Sequence, residues 1–309
     1  MRRHRRFPHT RGRSPLGPAV GLVAILTACA SAPPSPLETA ILSTCAVGDG
    51  ARVAVACFDP SSDLELLIDA QVPFHAASTM KIAVMIELFE RATVGEIDLD
   101  APIRLTNRFA SIVDGSPYAL DPADDSDPDL FARVGTEVTA RELCERMIRR
   151  SSNLATNVLI ERLGAGRIQA TIEARGARFG MKVLRGVEDT PAFRAGMNNV
   201  ATARDLAMLL RSVLEDHRAG NAQARAMLDV LLGQEHRSMI PAGLPAGTPV
   251  ANKTGSITRI RHDAAILDPL GPSPMVLVVL TSGFDDPAHA DAVGAKIAKD
   301  VYAHLRSRR

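Results

Sequence analysis

The chain contains no tryptophan, two tyrosines and nine phenylalanines in 309 residues. An aromatic share of 4% leaves little with which to stack single-stranded nucleic acid or sugars. Lysine is almost as scarce. Five positions carry it (81, 182, 253, 296 and 299), and arginine is the ordinary surface cation. The four cysteines follow no zinc spacing and the eight histidines are scattered, so the sequence points to no metal and no cofactor.

What is present is ordinary globular material, with 46% hydrophobic and 23% charged residues, enough chain for one large domain. Residues 1–28 differ. MRRHRRFPHTRGR is basic, and PLGPAVGLVAILTA has the length of a signal-peptide apolar region, too short to span a bilayer comfortably. Leu26-Thr27-Ala28-Cys29 resembles a bacterial lipoprotein box, which implies lipidation of Cys29, an exported, periplasmic or cell-envelope location, and a membrane link only through that anchor. A Pro-rich tether covers 29–36. Residues 1–28 hold six arginines and no acid, so their removal leaves 30 cations against 35 acids and a net charge of −5. No nucleic-acid partner is expected from such a balance. Cys45, Cys57 and Cys144 remain, and an exported chain could pair two of them without the sequence saying which.

The patterns predict a helix over 37–46, a hairpin of strands 51–58 and 64–70 turning at 59–62, then about 160 residues of helical pattern. Residues 78–91 are apolar all round and should form a buried central helix. Thr139 and Glu142 form a capping box for a helix over 140–150. Further helices are predicted over 154–163, 167–175, 202–215 and 222–232. Residues 107–135 read as a loop in which DPADDSDPD is a solvated surface. Strands return at 250–255, 261–268 and 275–281, and an amphipathic helix closes the chain from Pro287. The predicted fold class is α/β (α+β): an antiparallel five-stranded sheet flanked by helices, with an inserted all-helical lobe. The sheet lobe takes 37–73 and 245–309, the helical lobe 74–244, and a cleft between them is the natural site.

Lys81 needs a chemical reason. It sits three residues after Ser78 at the head of an apolar run. Burial lowers an amine's proton affinity, and a neutral amine beside a hydroxyl can take its proton. S-x-x-K alone also fits a lysine that snorkels at a helix start. Ser151-Ser152-Asn153 lies at a helix–helix junction, where it can aim a hydroxyl and an amide into a cleft or simply cap the next helix. Lys253-Thr254-Gly255-Ser256 lies on a strand, with a glycine that permits close approach.

Together, in order, these three motifs resemble the penicillin-recognising serine hydrolases, especially the class A β-lactamases, whose signature is S-x-x-K, S-x-N and K-T-G. ATARDLAMLL, IPAGLPAGTPVANKTG and RIRHDAAIL with PMVLVVLT are similar to that family's surrounding segments, so the resemblance covers roughly residues 37–306. It implies a monomer acting on a small β-lactam or a peptidoglycan stem peptide. Ser78 would be the acylated nucleophile, Lys81 its proton partner and Ser151 the relay to the leaving nitrogen. Asn153, Lys253, Thr254, Gly255 and Ser256 would bind substrate, with the backbone N–H groups of Ser78 and Ser256 as oxyanion hole. Glu188 would be the base that clears the acyl-enzyme. The family's E-P-x-L-N pattern is broken there: Asp189 replaces the proline and Ala192 the asparagine. Ser152 also stands where class A usually has Asp. The alternatives to a β-lactamase are a D-alanyl-D-alanine peptidase on the same scaffold and a catalytically silent envelope lipoprotein. His262-Asp263 is rejected as part of a Ser-His-Asp triad, since neighbours on a strand face opposite ways. Arg259 and Arg261 read as a solvated strand face, with binding of a substrate carboxylate as the alternative, and His75 as packing.

Overall fold

Alternation of small and branched residues builds a sheet buried on both faces. β1 (Arg52–Asp59) and β2 (Leu64–Ile68) form the first hairpin, with Val55 opposite Ile68. β3 (Val250–Ile257), β4 (Ile260–Leu267) and β5 (Met275–Ser282) pair antiparallel in turn, and β5 pairs antiparallel with β1. The resulting order is β2-β1-β5-β4-β3. The computed structural model describes residues 34–48, 50–60 and 64–307, with side chains to residue 304. The expected signal segment, Cys29 and the tether up to residue 33 lie outside the described residues, as do Ser61 and Ser62 of the hairpin turn.

Because strand side chains alternate between faces, β1 sends Val53, Val55 and Cys57 to one side. There they meet Leu277 and Val279, together with Leu37 and Ile41 of α1 (Pro36–Cys45) and Ile297 and Val301 of α8 (Pro287–Ser307). Ala54 and Ala56 go to the other side with Val276, Val278 and Leu280, against the helices. The helical block contains α2 (Lys81–Thr93), α3 (Ala140–Arg149), α4 (Asn153–Leu163), α5 (Ala165–Ala174), α6 (Ala203–Arg218) and α7 (Ala222–Leu232). All of Lys81 to Phe89 is buried, as the unbroken apolar run predicts. Thr139 Oγ1 accepts the Glu142 N–H at 3.1 Å, and Gly164 ends α4 with φ 83°.

The departures have physical causes. The chain does not enter α2 directly: Ala77–Met80 is a 3₁₀ turn, so Ser78 sits ahead of the α-helix. Two-residue strands and the five-residue helix Thr190–Arg194 arise in segments too short to show a period. The cysteine pairing that export would permit is not made. Cys45, Cys57 and Cys144 are all free, and the two fully buried thiols belong to different cores, Cys57 below the sheet and Cys144 in the helical block. Among the described residues no helix is long and apolar enough to cross a membrane, and no group of His, Cys, Asp and Glu could hold a metal ion.

One buried carboxylate organises the start of α6. Asp205 accepts hydrogen bonds from the N–H groups of Phe179 and Met181 and from the Thr202 hydroxyl, each at 2.8 Å. Asp205→Ala would leave those donors unpaired, the Met181 N–H and the Thr202 hydroxyl among them buried, and should lower the unfolding free energy by about 3 kcal/mol in urea titration, with an unchanged slope. A loss below about 0.5 kcal/mol would contradict this account.

Candidate active site

Three separate stretches of chain meet at Ser78. The first is its own 3₁₀ turn. The second is β3, which crosses that turn so closely that a Cβ added to Gly255 would lie 3.2 Å from Ala77 Cβ, from Ser78 N and from Thr79 Cγ2. Glycine is what lets the strand pass. The third is the α3–α4 junction, where Ser152 caps α4 by accepting the Ala155 N–H at 3.2 Å. Ser151, just before that cap, is turned into the left-handed region at φ 66°.

The polar groups form one connected chain. Lys81 Nζ donates to Ser151 O at 2.6 Å, to Ser151 Oγ at 3.2 Å and to Asn153 Oδ1 at 3.0 Å. Lys253 Nζ approaches the same Ser151 Oγ at 3.0 Å and also donates to Thr254 O. Asn153 Nδ2 donates to Glu188 Oε1 at 3.0 Å. Two amines therefore flank one hydroxyl, and one amide links the first amine to a carboxylate. Both lysines are fully buried. Burial pushes the Lys81 ammonium down to about 7, with Asp125 and Glu188 partly opposing the fall. Burial and the neighbouring Lys81 push Lys253 well down too. Burial raises the Glu188 carboxyl, although the Asn153 amide favours its charged form. An amine that is about half neutral at pH 7, a hydroxyl that can pass a proton and a carboxylate across the cleft are the parts of an acyl-transfer site.

A cavity of about 350 Å³ is lined by Ser78, Ser151, Asn153, Thr254, Ser256 and Arg261. A second, of about 470 Å³, shares Ser78, Asn153 and Ser256 and adds Glu188, Val187 and Phe193. The structure thus brings together Ser78, Lys81, Ser151, Asn153, Glu188, Lys253, Thr254, Gly255 and Ser256. Glu188, like Ser151 and Ala77, has positive φ (62°). Such backbone costs about 1–3 kcal/mol per residue and persists only where neighbours over-determine it. Around Glu188 they do. Asn157 accepts the Val187 N–H at 2.7 Å and donates to Val187 O at 3.0 Å, while Asp189 accepts from Ser111 Oγ and the Ile112 N–H. Asn157, Asp189 and Asn199 hold this loop through hydrogen bonds between segments separated in sequence, which leave no periodic signal.

Two expectations are corrected. DPADDSDPD is not simply a solvated loop: Asp125 and Asp127 are buried, because backbone N–H groups and arginines satisfy their carboxylates. Arg261 is not on a solvated face: it lines the cleft, donating to Ser256 Oγ at 2.8 Å and pairing with Asp291 at 2.9 Å. His262 and Asp263 do face different partners. The His262 Nε2 lies 3.0 Å from His75 O, whereas Asp263 accepts from Asn252 Nδ2 and the Ile240 N–H.

Residues 37–305 match the family model described as the Beta-lactamase enzyme family. The chain belongs to that family. A β-lactamase of Amycolatopsis lactamdurans is 28% identical over 274 residues, 87% of this chain and 86% of that one. A β-lactamase crystal structure from Sphaerobacter thermophilus is 25% identical, with a TM-score of 0.74 over 88% of this chain and 97% of its own. A variant of PBP-A, solved as an acyl-enzyme complex with penicillin G, has a TM-score of 0.72 at 22% identity, covering 88% and 96%, and shows likeness of fold. Within the β-lactamase family, the class A serine enzymes are the group to which the chain's motifs correspond.

The depressed Lys81 sets a pH dependence for this β-lactamase-family site. The neutral amine exists above its folded value and is lost below it. The rate constant for Ser78 acylation by a slow β-lactam should therefore fall about tenfold per pH unit below about 7. Stopped-flow acylation with wild type and Lys81→Met checks this. The variant should be slower by at least about 100-fold and lack that limb. A wild-type rate flat from pH 8 to pH 5.5 would contradict it.

Proposed function

We infer that this protein is a class A serine β-lactamase, opening the lactam amide through an ester on Ser78. The observation that carries the inference is the hydrogen-bonded chain Glu188–Asn153–Lys81–Ser151–Lys253 bordering the cleft that contains Ser78. Ser78 Oγ attacks the lactam carbonyl while neutral Lys81 takes its proton. Ser151 then passes a proton to the departing nitrogen, taking its own replacement from the Lys81 ammonium. The backbone N–H groups of Ser78 and Ser256 hold the developing oxyanion. Lys253, Thr254 and Arg261 bind the substrate carboxylate, and Asn153 its amide side chain. In the second half, ionised Glu188 takes a proton from water as the water oxygen attacks the ester carbon, the bond from that carbon to Ser78 Oγ breaks, and the proton passes to Ser78 Oγ, which leaves Glu188 ionised again. Burial draws Glu188 toward its neutral form, so its action as a base fades at a higher pH than for an ordinary carboxylate.

One observation favours a second reading, a peptidoglycan D-alanyl-D-alanine peptidase that acylates with β-lactams and releases them slowly. Where the family pattern carries an asparagine four residues after the glutamate, this chain has a buried Ala192, so no amide at that position assists the water. The proposal extends to location. The basic and apolar segment followed by Leu26-Thr27-Ala28-Cys29 supports export and lipid anchoring at Cys29 in the cell envelope, with the domain acting as a monomer.

Glu188→Ala separates the two readings. For a β-lactamase it should accumulate a stoichiometric penicilloyl adduct on Ser78, visible by intact mass, with turnover falling by about 1,000-fold while acylation is nearly unchanged. If wild type and Glu188→Ala both retain the same long-lived adduct, the peptidase reading stands instead.

A further inference from the structure

The acidic segment DPADDSDPD runs from Asp121 to Asp129 and contacts the α3–α4 junction from outside. We propose that Asp125 is a positioning residue for acylation, its carboxylate locking the Ser151–Asn153 turn against Lys81. The proposal rests on the reading of Ser78 as an acylated nucleophile. Asp125 Oδ2 accepts the N–H groups of Asn153 at 2.9 Å and Leu154 at 2.8 Å, and Oδ1 accepts the Asp127 N–H at 2.8 Å. The first two are first-turn donors of α4, which have no partner inside the helix and sit at its positive end. The Ser152 cap takes only the Ala155 N–H. Asp125 therefore supplies, from 28 residues away in sequence, the acceptors that the local Ser152 does not.

The position demands such a clamp. Ser151 is a non-glycine residue at φ 66°, a conformation its surroundings must impose. Asp125 fixes the backbone N–H groups of Asn153 and Leu154, and Lys81 Nζ pulls on the Ser151 carbonyl from within. The segment carrying Asp125 is itself fastened. Ser126 Oγ donates to Arg150 O at 2.5 Å, and buried Asp127 pairs with Arg146 at 2.8 Å and Arg150 at 3.0 Å. Ser126 and Asp127 thus grip the end of α3, and the adjacent Asp125 grips the first turn of α4. The two side chains presented between them, Ser151 and Asn153, are the ones that bond to Lys81.

Asp125 also brings charge. The titratable and charged groups around Lys81 are Lys253 on β3 with Asp263 behind it, Glu188 and Arg185 on the loop of residues 182–200, and Asp124 and Asp125 on the acidic segment. His75, His236 and Arg261 stand in the cavity walls. Asp125 and Glu188 are the anions that counter the burial of Lys81. A capping role alone would need the oxygen but not the charge, and this difference is measurable.

The test compares Asp125→Ala and Asp125→Asn in the mature protein. Acylation rates with a penicillin are read by intact mass, and the five lysines, labelled with ¹³C at Cε, are titrated by NMR. Asp125→Ala should slow acylation by about 100-fold with a smaller change in KM, as expected when a reacting group is displaced by an ångström. Asp125→Asn retains an oxygen facing the two N–H groups and should stay within about tenfold of wild type at pH 8.5, while its Lys81 midpoint falls below that of wild type. Asp125→Ala that acylates at the wild-type rate, or a Lys81 midpoint unmoved in both variants, would overturn the proposal. Should the wild type form no adduct, the β-lactamase reading fails and the acylation role with it, and a Lys81 midpoint that still falls in Asp125→Asn would leave Asp125 only its charge contact with Lys81.

Discussion

Two buried lysines around one hydroxyl are the constraint on which the rest of this structure depends. Lys81 and Lys253 approach Ser151 Oγ at 3.2 and 3.0 Å, and neither side chain reaches solvent. Burying an ammonium is expensive, and burying two together is more so. The structure lowers the cost by letting both amines lose proton affinity and by surrounding Lys81 with oxygen acceptors from Ser151 and Asn153. The same arrangement turns a costly residue into a base at neutral pH. Stability and chemistry therefore pull against each other at Lys81, and α2, sunk in the helical core, is what keeps it there.

Precision is imposed by elements that are individually unfavourable. Ala77, Ser151 and Glu188 all lie in the left-handed region, and each adjoins or carries a group of the site. No one segment enforces all three. β3 presses Gly255 onto the Ser78 turn, the acidic segment clamps the α3–α4 junction, and Asn157 with Asp189 fixes the loop that bears Glu188. The geometry of the site is set by distant parts of the chain that agree on it, not by any local sequence preference.

This explains which features were legible in the amino-acid sequence. The sheet strands alternate, the main helices carry period and caps, and Thr139, Gly164, Thr202 and Pro287 mark boundaries close to those observed. Ser78, Lys81, Ser151, Asn153 and Lys253 were legible because motif spacing is local. Asp125 was not, since nothing in DPADDSDPD distinguishes a carboxylate that meets backbone N–H groups from one that meets water. Arg261 was misplaced for a related reason: the strand pattern gives its face, but Asp291 on α8 draws it into the cleft. Cys57 and Cys144 went to separate cores, a fact only the packing reveals.

A serine ahead of a buried helix, a base whose proton affinity burial lowers and a carboxylate carried on strained backbone form one catalytic sequence. It is tested most directly by mixing the protein from residue 31 onward with a chromogenic cephalosporin and following product and intact mass together, with Ser78→Ala alongside. The account predicts many products per molecule, a transient adduct of one equivalent, and neither in Ser78→Ala. Absence of both product and adduct in the wild type would contradict it.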